Sequence, residues 1–290
     1  MKKVLSFLIA VSMVLSLGLV SWAEEPEEEY PEEYVENAEP AMEISLKEYA
    51  ENNDITEDPA LEEMDGGDPY SPFPVDKAIF GTNDLYSISD RNEYPYSAVA
   101  KIFSHFRCGC SCSGTGFMIS ASGLMTSAQL LVCSDHHKTA DSLTFYFGYK
   151  GPQNYGYKYD KGTTYWYGTD NIDKDGREWD YGYVKLKERV GDRTGWFGTR
   201  VMSDSSFDGS IFSIAGFSDN NLYYDIDKVT PYNDYLLHHK IDTVPGMAGS
   251  PLFTFDCYAF AINVAYTSTT NIARRITSKL QSQMRDNGLF

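Results

Sequence analysis

Short runs of β-branched and aromatic residues, separated by Gly, Asn and Asp turns, recur from about Ala78 onward. They read SAVAKIF, TGFMIS, LTFYFGY, YGYVKL, IFSIAGF, NLYYDIDKV, PLFTF and YAFAINVAY. Runs of this length and composition at regular intervals predict strands, and their succession predicts an all-β barrel or sandwich. One segment departs from the pattern. In ITSKLQSQMRDN, Ile276, Leu280 and Met284 stand four apart, which predicts a single C-terminal helix. The many tyrosines suit barrel walls that are half buried.

Two other textures precede the barrel. Residues 1–23 have a positive start (Lys2, Lys3), the apolar run LSFLIAVSMVLSLGLV, and SWA before a block of acids. That order predicts a secretory signal cleaved after Ala23. No later segment is apolar enough to span a bilayer. Residues 24–77 begin EEPEEEYPEEYVENAEP, a self-repelling, low-complexity stretch with little to bury, and end in the proline-rich SPFPVDK. They are expected to be a disordered acidic pro-segment or linker, leaving 78–290 as the folded domain.

Charge sharpens this division. The formal net charge is -18, yet residues 24–77 hold 20 Asp/Glu against 2 Lys, which leaves 22 acids and 20 bases from residue 78 onward. The acidity belongs to the leader. The domain is near neutral and lacks the basic face that nucleic-acid binding needs.

Export permits disulfides. The five cysteines are Cys108, Cys110, Cys112, Cys133 and Cys257, and an odd number leaves at least one out of any intramolecular pairing. The C-x-C-x-C run 108–112 lacks the C-x-x-C reach of common metal sites, and no histidine stands at a familiar offset from it. Disulfides are the favoured reading over a metal. NIDKDG, Asn171–Gly176, looks like the start of a calcium loop, but the twelfth position from Asn171 is Gly182 where a bidentate Glu is required, so an EF-hand fails. No metal or cofactor is expected.

Several segments, in order, resemble the trypsin-like serine proteases, and among them the bacterial glutamyl endopeptidases. IFGTNDLYSI resembles their mature start, SGTGFMIS their G-T-G-F strand, and GWFG (195–198) a segment typical of them. PGMAGSPLF followed by NIARRIT resembles their closing section. The likeness spans about Ile79 to the C-terminus. It implies two six-stranded antiparallel β-barrels with a C-terminal helix and an active site in the cleft between them.

That site needs an attacking serine, a histidine to take its proton and an aspartate to orient the histidine. By resemblance the histidine position falls in MTSAQLLVC at Gln129, the aspartate in DYGYVKL at Asp180, and the serine in PGMAGSP at Ala248. Only the acid is retained. Alanine has no lone pair to attack with, and a glutamine amide accepts no proton near neutral pH. Gln129 is long enough to offer its amide N–H to Asp180 in the histidine's stead. Ser250, Ser127 and Ser113 are read as ordinary strand or turn serines, and His136, His137, His238 and His239 as surface or strand residues.

The resemblance also implies an oxyanion hole from the backbone N–H groups of Gly246 and Ala248, which needs no side chain. It puts Thr243 and Asn263 at substrate-binding positions, Asn263 where glutamyl endopeptidases carry a histidine. It suggests a Cys112–Cys133 disulfide holding down the Gln129 turn, and leaves Cys108, Cys110 and Cys257 unpaired. The expectation is a secreted, inactive protease homologue whose cleft binds a peptide or protein. The alternatives are a working serine endopeptidase and an envelope or adhesion module.

Overall fold

The computed structural model describes residues 79–80, 83–149, 156–158, 164–170 and 176–290. The expected signal and acidic leader, residues 1–77, lie outside the described residues, as does most of NIDKDG.

The first sheet uses β2 (Val99–Phe106), β3 (Ser111–Met118), β4 (Gly123–Thr126), β5 (Val132–Cys133), β6 (Lys138–Phe147), β7 (Gly156–Lys158), β8 (Thr164–Tyr167) and β9 (Gly182–Lys185). Its order is β5-β6-β2-β3-β4-β9-β8, with β7 on β6. The second sheet uses β1 (Tyr86–Ser87), β10 (Gly198–Thr199), β11 (Ile211–Ser218), β12 (Asn221–Pro231), β13 (Leu236–His239), β14 (Pro251–Phe253), β15 (Tyr258–Tyr266) and β16 (Asn271–Arg275). Here the order is β1-β12-β11-β14-β15-β16-β13, and β13 pairs back onto β12, closing a six-stranded barrel. The first sheet curls into a nearly closed seven-stranded one. The expectation of two six-stranded barrels therefore holds for the second barrel, and the first carries one strand more.

The second barrel has a filling of its own, whereas the buried cluster of the first extends to Phe217 and Phe253 of the second. Phe117, Phe145 and Tyr146 are buried in the first. Phe207, Phe212 and Phe260 fill the second, with ring centroids 5.5–6.2 Å apart in tilted and edge-to-face pairs. The strands are mostly buried because curling leaves little of either face to solvent; β4 is buried at all four positions.

Among the described residues are three short helices: α1 (Gly191–Thr194) between β9 and β10, α2 (Asp204–Phe207) between β10 and β11, and α3 (Ser278–Asp286) after β16. In α3 the Thr277 hydroxyl accepts from the Leu280 N–H at 3.3 Å, capping the first turn. Leu280 and Met284 bury one face, with Ile276 just before it, as the four-residue spacing predicts.

Thr115 of β3 joins the barrels. Its N–H donates to the Ala248 carbonyl (2.9 Å) and its hydroxyl to the Gly246 carbonyl (2.8 Å), and the hydroxyl oxygen accepts from the Phe217 N–H (2.8 Å). The loop 244–250 comes so near that a Cβ on Gly249, whose φ is +89°, would collide with the Thr115 carbonyl. Only glycine fits there. Thr115→Val leaves the Gly246 carbonyl and the Phe217 N–H without their partner, and is expected to cost about 2 kcal/mol in a urea unfolding series.

Candidate functional site

Gln129 and Asp180 lie on short turns that present them toward each other. Gln129 is in the 3-10 turn Ala128–Leu130 after β4, and Asp180 ends the 3-10 turn Arg177–Trp179 before β9. Asp180 is fully buried. Its Oδ1 accepts from the Gln129 backbone N–H (3.3 Å), and its Oδ2 from Gln129 Nε2 (3.2 Å) and Arg177 Nη1 (3.4 Å). Gln129 Nε2 also donates to the Val264 carbonyl of β15 at 3.0 Å. Two acceptors face the same amide atom, which fixes that atom as the nitrogen. The side chain thus spans from one barrel to the other, with its donor on the carboxylate as its length predicts.

Burial raises the Asp180 carboxyl from 3.8 to about 6, against the Arg177 guanidinium and the Gln129 and Ala128 backbone N–H groups, which lower it. The Asp180 carboxyl is thus served by donors from Gln129, Ala128 and Arg177.

Ala248 stands half exposed in the loop 244–250, which Met247 N–H to Val244 (3.1 Å) and Ser250 N–H to Met247 (3.2 Å) turn tightly. Gly246 takes φ +94°, a left-handed conformation that glycine alone adopts at no cost. Among the described residues the Gly246 and Ala248 N–H groups make no hydrogen bond, and both residues are part-exposed. The loop and the Gln129 turn meet over β3: a Cβ on Gly114 would lie 2.6 Å from Leu130 Cδ1 and 3.1 Å from the Ala248 carbonyl.

The described histidines, and the serines near the loop, have surroundings of their own. Ser250 is fully buried with its hydroxyl against Gly216, and Ser127 is buried too. His105 pairs with the Ser111 hydroxyl at 2.7 Å, and His137 with the Asp170 carbonyl at 2.7 Å. His238 stacks on Tyr232 at 4.3 Å, while burial lowers His239 to about 3 and keeps it neutral. His136, expected to be a plain surface residue, instead faces Cys110 and Cys133.

Thr243 and Asn263, expected at substrate-binding positions, are buried. Thr243 donates its hydroxyl to Asn271 Oδ1 (3.1 Å), and Asn263 donates Nδ2 to the Met247 carbonyl (3.1 Å). Both are buried within the second barrel.

The Cys112–Cys133 bridge is corrected. Neither cysteine is in a disulfide, the Cys112 thiol pointing to the Gln129 carbonyl (3.8 Å) and Cys133 to His136 Nδ1 (3.5 Å). Cys112 lies on β3, which pairs with β2 and β4, whereas Cys133 ends β5, which pairs with β6, so their side chains find different partners. The Cys133-x-x-His136 spacing, a usual metal-ligand reach, was the overlooked signal in the sequence.

No family model matches the chain. It is 26% identical over 210 residues to the "Extracellular metalloprotease" of Bacillus subtilis strain 168, covering 69% of the chain and 66% of that protein. It is likewise 26% identical over 187 residues to the "Glutamyl endopeptidase" of Bacillus licheniformis, covering 63% of the chain and 56% of that protein. The chain spans less than two thirds of either relative's length. A solved structure of a Glu endopeptidase in complex with MPD superposes with a TM-score of 0.62 at 17% identity, over 72% of the chain and 98% of that structure. No helix among the described residues is long and apolar enough to cross a membrane.

Proposed function

We propose that this chain, which has the fold of the trypsin-like (chymotrypsin-fold) serine proteases, is a catalytically inactive homologue that holds an extended peptide segment in the cleft between its barrels. The observation that carries this is the Gln129 amide donating to Asp180 at 3.2 Å, beside a serine position filled by Ala248. The site has an orienting acid with nothing to orient. A fold does not bring its activity with it when the reacting groups are gone. The similarity to proteins named as a metalloprotease and a glutamyl endopeptidase favours an active endopeptidase, but that reading needs a base and a nucleophile at these two positions.

Binding rests on what needs no side chain. The Gly246 and Ala248 N–H groups are suited to receive a peptide carbonyl oxygen. Thr243 and Asn263 are engaged internally, so they bring no charge to bear on an acidic side chain and no preference for Glu is proposed. The signal-like first 23 residues, together with a relative named as extracellular, support export.

The test is binding of an arrayed set of extended peptides to the purified protein and to Ala248→Trp, whose indole fills the space in front of the loop. The parent is expected to bind a subset, and the variant to bind it at least about tenfold more weakly, or 1.4 kcal/mol. Equal binding by both, or by neither, contradicts the reading.

A further inference from the structure

The first barrel brings four ligand-type atoms to one point. The thiols of Cys108, Cys110 and Cys133 and a ring nitrogen of His136 all lie within 4.8 Å of one another. Cys108 and Cys110 sit on the β2–β3 hairpin, which the Phe106 N–H to Cys110 carbonyl bond (2.9 Å) closes. Gly109 between them takes φ +89° with open space where a Cβ would be, and this turn lets both thiols face the same way. Cys133 ends β5, and His136 stands on the turn that follows.

The spacing fits a metal site. Zinc held tetrahedrally, with Zn–S of about 2.3 Å and Zn–N of about 2.0–2.1 Å, requires S···N separations of about 3.6 Å. His136 Nδ1 lies 3.6 Å from Cys110 Sγ and 3.5 Å from Cys133 Sγ. A disulfide could join only two of the three thiols and would leave the third, with the imidazole, unused. None of the five cysteines is in a disulfide. Three thiols and one imidazole gathered at one point suit zinc better than a hard cation, which takes oxygen ligands.

We propose that Cys108, Cys110, Cys133 and His136 form a structural zinc site that fastens the Gln129 turn to the β2–β3 hairpin. The three thiols release their protons to solvent on binding, and His136 enters neutral through Nδ1. Four protein ligands complete a closed tetrahedron, so the metal positions and performs no chemistry. It takes over the mechanical task expected of the Cys112–Cys133 bridge, because Cys133 lies four residues beyond Gln129 in the same segment.

The experiment uses the full chain, purified without chelator from zinc-supplemented medium, with metal content by mass spectrometry and thiols counted before and after denaturation. One zinc per chain is expected, and Co(II) exchanged into the site should give thiolate-to-cobalt charge-transfer bands and the visible bands of tetrahedral cobalt. Cys110→Ser and His136→Ala should lose the metal, Cys257→Ser should keep it, and His136→Cys should keep it through a fourth thiolate. The two variants expected to retain zinc guard against loss through misfolding alone. Metal-free parent protein with a disulfide between two of the three cysteines would overturn the proposal. Full zinc in both Cys110→Ser and His136→Ala would also overturn it.

Discussion

Ala248→Ser alone is expected to leave peptide hydrolysis at background, and the pair Gln129→His with Ala248→Ser to raise it at least about 100-fold above either single change. The new hydroxyl is a poor nucleophile without a base to take its proton, and the Gln129 amide takes up no proton near neutral pH. A histidine at 129 would find the partners it needs: Asp180 Oδ2 is already where Gln129 Nε2 meets it at 3.2 Å, ready to hold one ring N–H. General base catalysis supplies about 10²–10⁴ in rate, and triad groups act as a unit, so neither substitution alone recovers a share of that gain. Initial rates on a fluorogenic peptide series check this. Strong activity in Ala248→Ser alone would mean that another base serves the site.

Gln129→Leu is expected to destabilise the protein by about 3 kcal/mol at pH 8 and by about 1 kcal/mol at pH 4. Asp180 is buried and accepts from the Gln129 amide, which leucine cannot replace. The pH dependence follows from its carboxyl, raised from 3.8 to about 6 mainly by burial. With the folded pKa above the unfolded one, the folded state binds more protons between about pH 4 and 6, so stability falls as pH rises through that window. Removing a donor to the charged form raises the folded pKa further. The penalty therefore grows above about pH 6 and shrinks once the carboxyl is protonated in both states. Urea denaturation of parent and variant at the two pH values measures it. A Gln129→Leu variant as stable as the parent at pH 8 would show that the carboxylate does not depend on this amide.

The barrel strands were legible because their alternation and spacing are local properties. All eight runs read from the sequence contain observed strands, NLYYDIDKV for example falling within β12 (Asn221–Pro231). The elements that escaped notice share a physical reason. β4, GLMT, is too short for a period to show, and β16, NIARR, looks polar although Arg274 and Arg275 are buried. Arg275 is affordable inside because Asp204 and the Asn233 and Met202 carbonyls satisfy its guanidinium at 2.7–3.0 Å. None of those partners is near it in sequence.

At the site the same division holds. Positions 129, 180 and 248 could be found from motifs in chain order, and Gln129 proves long enough to reach the acid. Thr243 and Asn263 are buried in the second barrel, and motif position alone says nothing of which way a side chain turns. The Cys/His cluster hid because its halves, Cys108-x-Cys110 and Cys133-x-x-His136, come from two segments that only the pairing of β2, β3, β5 and β6 brings together.

The central claim is that the cleft contains no activated nucleophile. Intact-mass analysis of the purified protein after incubation with a serine-directed fluorophosphonate tests it most directly. The expected spectrum shows the unmodified mass alone, while Gln129→His/Ala248→Ser takes up one phosphonyl group. Stoichiometric labelling of the parent protein would contradict the claim.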